Sequence, residues 1–217
     1  YSIAGMAKLN GLAIAALTDH NACGNCESFF TACRGYGIVP VAGMELTTSE
    51  DVHLLCLFRS LEDALAFAAE VENMRIRIPN REEIFGKQFL IGLDDEPLGQ
   101  EPYLLINATL LSLEEAAELA VNHGGAAVPA HVDREGNGVI AVLGDLPESP
   151  AFAAVEYREQ TNAPAYEAHY PRLRGKRNIV SSDAHRLWEI ASPGCLLELS
   201  CPADAKEQEV RDALIDF

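Results

Sequence analysis

The chain has 217 residues, with 16 basic and 33 acidic side chains, a formal net charge of −17 and a pI near 4.6. This balance excludes bulk-charge binding to nucleic acid or to an anionic membrane, yet leaves room for a local cationic site such as a bound metal. Hydrophobic residues at 48% and charged residues at 23% exclude wholesale disorder, and no apolar run reaches the roughly 18 residues that cross a bilayer.

Taken in chain order, residues 2–11 predict a short helix capped by Ser2 and stopped at Asn10-Gly11. Residues 13–17 are a short apolar run, long enough for a buried strand, that stops at Thr18-Asp19-His20. Cys23, Cys26, Phe29, Phe30 and Cys33 recur at helical spacing before Gly35. Strands are expected at 38–42, running on into Gly43-Met44-Glu45, and at 52–58, with His53 inside the second. A helix follows over 61–74, with Leu61, Leu65, Ala68 and Val71 as its apolar stripe. Residues 76–109 show no clean period and carry Pro79, Pro97 and Pro102, so they read as an irregular excursion that caps a site.

Ser112 and Glu115 form a capping-box pattern that opens a helix ending at His123-Gly124-Gly125. Further strands are expected at 126–129, 153–156, 178–181 and 195–200, with a closing helix over 203–215. Regular strand–helix alternation predicts an α/β fold in one domain over 1–217. The cysteines at 23, 26, 33, 56, 195 and 201 are few for the size and mostly flanked by apolar residues, which predicts reduced thiols in a cytoplasmic protein. Cys23-x-x-Cys26 has no second pair at zinc spacing and lies on a helical apolar stripe, so it reads as core.

Position carries more information than count. His20, Glu45, His131, Asp183 and His185 all fall at or just beyond the end of a short apolar strand. In a parallel β/α barrel such ends converge on one face. Imidazoles and carboxylates so gathered suit zinc, manganese or iron, and Glu45 has two oxygens with which to bridge two ions. One strand-end histidine by itself is more often a satisfied polar group than a ligand, and His53 alone reads equally well as a core histidine. Arg134 and Arg186, close behind His131 and His185, are candidates to meet a substrate phosphate, although each fits a solvated surface role as well. Neither a Gly-x-Ser-x-Gly elbow nor a P-loop is present.

Five motifs in sequence resemble those of the polymerase and histidinol phosphatase (PHP) superfamily, over nearly the whole chain. They are Leu17-Thr18-Asp19-His20, Gly43-Met44-Glu45-Leu46, His53-Leu54-Leu55, Pro129-Ala130-His131 and Ser182-Asp183-Ala184-His185. Among that superfamily's branches, the chain is most similar to the small stand-alone metal-dependent phosphoesterases. The resemblance implies a distorted (β/α)7 TIM-like barrel holding two or three divalent ions at the strand C-terminal ends. It implies that Glu45 bridges two ions, with His53 and His131 on one and Asp183 on the other. By the same pattern His20 and His185 bind a third, and Asp19 orients neighbouring ligands. The family opens with a strand ending in a His-x-His pair, followed by an aspartate. This chain begins at what corresponds to the first helix, so that strand and pair are expected upstream of Tyr1.

The expected activity is hydrolysis of a phosphate ester of a small molecule or nucleotide, with Glu45, Asp183 and His131 at the catalytic centre. Neither a membrane nor a long nucleic-acid duplex is an expected partner. Alternatives are an exonuclease on short oligonucleotides, a non-catalytic metal-binding or regulatory module, and a C–N hydrolase of the amidohydrolase type. The last ranks lowest, because no lysine stands at a strand end.

Overall fold

The computed structural model describes residues 1–193 and 196–216. Helix α1 (Ser2–Leu9) opens the chain and buries Ala4 and Ala7. Tyr1, not Ser2, stands at its N-cap, and the Ser2 hydroxyl instead bonds Asp95. Strand β1 (Ile14–Leu17) follows, then α2 (Cys26–Tyr36), which ends at Gly37 with φ +68°, a left-handed stop that glycine adopts without penalty.

β2 (Val39–Thr47) and β3 (His53–Phe58) are the centre of the fold, buried over almost their full length. They pair antiparallel, with Glu45 opposite Leu55 and Thr47 opposite His53. α3 (Leu61–Met74) begins at Ser60, whose hydroxyl accepts from the Asp63 N–H. The excursion at 76–109 contains a short helix α4 (Glu82–Phe85) and a small hairpin of β4 (Phe89–Ile91) and β5 (Pro97–Gln100).

α5 (Leu113–Asn122) starts with the expected capping box of Ser112 and Glu115. Beyond it lie β6 (Gly125–Pro129), the short α6 (Val139–Leu143), β7 (Ala154–Tyr157), α7 (Ala163–His169), β8 (Arg177–Val180) and α8 (Glu207–Ile215). α6 and α7 were not expected from periodicity; each is too short to show one. The strand expected at 195–200 is not formed over 196–200, and Cys195 lies outside the described residues.

A (β/α)7 barrel is not what the chain builds. The strands form a mixed sheet in the order β1-β2-β3-β6, an antiparallel pair β4-β5 and a parallel pair β7-β8, with no closed ring among the described residues. The reason is the link at 48–52, which turns the chain straight back from β2 into β3. A parallel partner needs a crossover of a dozen or more residues, which this link cannot supply. The continuous apolar runs that suggested parallel strands arise because both faces of the sheet are covered. On one face Met44, Leu46, Leu54, Cys56 and Phe58 join the main core with Phe29, Phe67, Val71 and Ala116 from α2, α3 and α5. On the other, Val41 and Leu57 meet Leu214 and Ile215 of α8, while Leu55 and Val128 meet Ala154 of β7 and Ile179 of β8.

Candidate metal centre

The second face carries the polar residues. Side chains alternate along a strand, so Glu45 lies on the same side of β2 as Val41, and His53 on the same side of β3 as Leu55 and Leu57. The register makes Glu45 and His53 diagonal cross-strand neighbours at the end of the sheet where β1 and β6 also finish. His20 follows β1 and forms an isolated parallel bridge to Glu45, and His131 stands two residues past β6. Four chain segments therefore deliver one side chain each to one place.

The distances are short. His53 Nδ1 lies 3.1 Å from Glu45 Oε1 and 3.2 Å from His131 Nε2. His131 Nε2 lies 3.3 Å from the same oxygen, and His20 Nδ1 lies 3.3 Å from the other one, Oε2. Glu45 thus turns one oxygen to two imidazoles and the second oxygen to a third. His131 is fully buried, and Glu45 and His53 are only 6% and 4% exposed. Burial opposes ionisation of Glu45, but the hydrogen bonds from His131 and His53 and the charges of His53 and His20 outweigh it and hold the carboxyl well below the usual range. Burial also drives the His20 imidazole down, more than the attraction of Glu45 raises it, which favours the neutral form that ligates metals.

This donor set fits a divalent cation. Among the described residues, neither ring nitrogen of His20 nor the Nδ1 of His131 has a hydrogen-bond partner, although all three atoms are buried. With ligand bonds of about 2.0–2.2 Å, adjacent donor atoms stand about 3 Å apart in an octahedron and about 3.4 Å apart in a tetrahedron. The observed separations of 3.1 to 3.3 Å lie in that interval. His20, Glu45 and His53 offer ligand atoms within 4.8 Å of one another.

Asp183 and His185 form a second pair beside this cluster. His185 Nδ1 is 3.7 Å from Asp183 Oδ1 and donates to the Asp183 carbonyl at 3.0 Å. The His185 ring lies 5.8 Å from that of His20. Arg134 Nη1 is 3.5 Å from Asp183 Oδ2, whereas Arg186 stacks on the exposed Trp188 at 5.3 Å. Asp19 reaches the cluster through its backbone: its carbonyl accepts the Glu45 N–H at 3.2 Å. Its carboxylate accepts from Asn25 at 2.8 Å, and burial raises its pKa despite that bond.

Three residues near the site were not expected. Asn25 also binds the backbone of Phe89 and Ile91, tying the hairpin to the loop that carries Asp19. Asn21, buried with φ +48°, holds the carbonyls of Leu105 and Asn107 and accepts from the Thr47 N–H. Glu156 at the end of β7 is 4% exposed and accepts the His131 N–H at 3.0 Å. It ended a strand already read from the sequence, so the criterion that found Glu45 also reaches Glu156.

A cavity of about 510 Å³ opens beside the β7 and β8 ends, lined by Asp133, Arg158, Asn162, Ser181, Ser182 and Ser192 among others. The Asp133 carboxylate is occupied by the N–H groups of Arg158 and Glu159 and by the Asn162 amide. Among the described residues Arg158 has no ion-pair partner.

No sequence family and no curated protein matches the chain. Solved structures do. A protein from Bifidobacterium adolescentis, assigned by name to the metal-dependent phosphoesterases, superposes with a TM-score of 0.60 at 17% identity, over 98% of this chain and 89% of that one. An amidohydrolase from Chromobacterium violaceum, with sulfate bound and no metal, superposes with a TM-score of 0.52 at 20% identity, over 96% and 90%. At these identities the likeness is one of fold.

Proposed function

We propose that this chain is a metal-dependent phosphoesterase that hydrolyses a phosphate ester of a small molecule or nucleotide. The observation that carries the reading is the Glu45 carboxylate set between His53 and His131 on one oxygen and His20 on the other. His20, Glu45, His53 and His131, with Asp183 and His185 alongside, would hold two or three divalent ions, and imidazole with carboxylate suits zinc, manganese or iron. Such ions, when bound, activate water and neutralise charge on phosphoryl oxygens.

The protein's own part is orientation and exclusion of water. Glu45 and His131 are held by burial and by the bonds described, so the donors are preorganised before anything binds. Arg134 beside Asp183 and Arg158 in the adjoining cavity are the cations placed to meet a substrate anion, with Arg186 further out on Trp188. The phosphoesterase name of one structural neighbour supports the reading, as does the sulfate in the other, an anion of phosphate shape. A cytoplasmic setting is in keeping with the free thiols of Cys23, Cys26, Cys33, Cys56 and Cys201.

The test is elemental analysis of protein purified without chelator, followed by a panel of phosphate monoesters, dinucleotides and amides. Two or three ions per chain and metal-dependent phosphate release are expected, with loss of hydrolysis in Glu45→Ala and Asp183→Ala. Full activity in both variants, or cleavage of amides alone, overturns the proposal.

A further inference from the structure

Glu156 is a buried carboxylate for which the hydrolytic reading has no use, and its bonds explain why it is there. β6 and β7 exchange no ladder pairs, so the two loops that carry His131 and Asp183 are not joined by the sheets themselves. Glu156 joins them. Its Oε2 accepts the His131 N–H at 3.0 Å, its own carbonyl accepts the Val132 N–H at 2.8 Å, and its Oε1 accepts the Ser181 hydroxyl. One side chain thus grips the His131 loop and, two residues before Asp183, the loop that follows β8.

Both loops need a restraint. His131 has φ +32° and Asp183 has φ +46°, a left-handed backbone that is uncommon for residues with a side chain, although Asp and His enter it more readily than most. The geometry around His131 is tight from the other side too, because a Cβ on Gly138 would lie 2.9 Å from the His131 carbonyl oxygen. A carboxylate is also the right chemistry: both partners arrive as donors, a peptide N–H and a hydroxyl, and an ionised carboxylate offers only acceptors.

We propose that Glu156 is a positioning residue of the metal centre, which fixes the His131 loop and the Ser181–His185 loop at one spacing without itself contacting the ligand. The proposal rests on reading the His/Glu cluster as a metal centre. It belongs with the outer hydrogen-bond partners of metal ligands, whose removal typically weakens metal affinity about 10–100-fold.

The experiment uses the full chain, stripped with chelator, in four forms: wild type, Glu156→Gln, Glu156→Leu and Ser181→Ala. Gln keeps an acceptor for the His131 N–H and turns its amide N–H₂ toward the Ser181 oxygen; Leu fills the space with no acceptor. Two quantities are read, Mn²⁺ or Zn²⁺ affinity by calorimetry and amide hydrogen exchange at His131 in the metal-free state. Glu156→Leu should bind metal about 10–100-fold more weakly and exchange the His131 amide roughly tenfold faster, while Glu156→Gln stays close to wild type in both. Ser181→Ala, at an exposed position, should lose affinity while the chain still folds and melts cooperatively, and so separates positioning from folding. Wild-type affinity and protection in Glu156→Leu overturn the proposal, as does a loss in Glu156→Gln equal to that in Glu156→Leu. If wild type takes up no metal, the metal reading fails, and the His131 exchange rates alone decide the role of Glu156.

Discussion

Glu156→Gln should stabilise the metal-free protein near neutral pH and leave it unchanged in acid. Burial is the main cause: it raises the Glu156 carboxyl from 4.5 to about 6, although the Ser181 and His131 hydrogen bonds and the His131 charge favour the ionised form, and the negative Glu45 adds to the rise. The sign follows from proton counting. As pH climbs from 4.5, the unfolded chain releases this proton first, so folding becomes less favourable until the folded carboxyl also ionises near 6. Above that point the cost is constant, and the interval from 4.5 to about 6 corresponds to about 2 kcal/mol. Gln keeps an acceptor for the His131 N–H, donates its amide N–H₂ to the Ser181 oxygen in place of accepting from it, and has no proton to lose. For a chain of this size the gain converts to a melting point higher by about 4–8 °C at roughly pH 7.5, and no difference at about pH 4. Thermal melts followed by circular dichroism, with chelator and at several pH values, provide the assay. A variant no more stable than wild type at pH 7.5, or equally stabilised at both ends, refutes the reasoning.

Other outcomes are expected elsewhere in the molecule. Gly43→Ala places a Cβ 2.8 Å from the Cys56 carbonyl and 2.9 Å from the Thr18 methyl, so β2 must shift; urea denaturation should show a loss of about 1–3 kcal/mol. Arg34 holds the Glu207 carboxyl at about 2, against partial burial and with help from Arg211. That pairing stabilises the fold above 4.5 and is lost as pH falls toward 2. Discounted for exposure, Glu207→Gln should cost about 1 kcal/mol in urea at neutral pH, and progressively less in acid. Cys23, Cys26, Cys33 and Cys56 are buried, so in a Cys195→Ser background an aromatic disulfide reagent should titrate Cys201 quickly and the other four only on unfolding. Equal rates at all five thiols would contradict the packing of α2 against β2.

Much of the local structure was legible, because short-range physics decides it. The Ser112/Glu115 capping box, the span of α3 and the strands β1, β2, β3 and β6 stand in the structure where their patterns placed them. But α3 buries Ala64, Phe67 and Val71 and leaves Leu65 exposed, so its buried face is turned from the expected stripe, and β1 is only half-buried. The positions of the polar strand ends were legible for the same reason, since His20, Glu45 and His131 fall at or just beyond the apolar runs of β1, β2 and β6. The hairpin within 76–109 was not, because β4 and β5 are short and its aliphatic residues are half exposed, leaving no period to read. The run at 196–200 shows the opposite error: Leu197 and Leu199 pack beside Leu214 as irregular chain, without a strand partner.

By itself, then, the sequence determined most of the longer strands and helices and which residue types stand at their ends, while the short elements α4, β4, β5, α6 and α7 escaped it. Only the tertiary structure decided how the strands are ordered and directed. A continuous apolar run records that both faces are covered and says nothing of whether its neighbour runs parallel or antiparallel, so the short link at 48–52 overrode the expected barrel. Only the fold, too, decided that Glu45 and His53 are diagonal neighbours and that Glu156 grips two loops. Strand periodicity assigns a side chain to a face; the register across strands, set by long-range pairing, assigns it a partner.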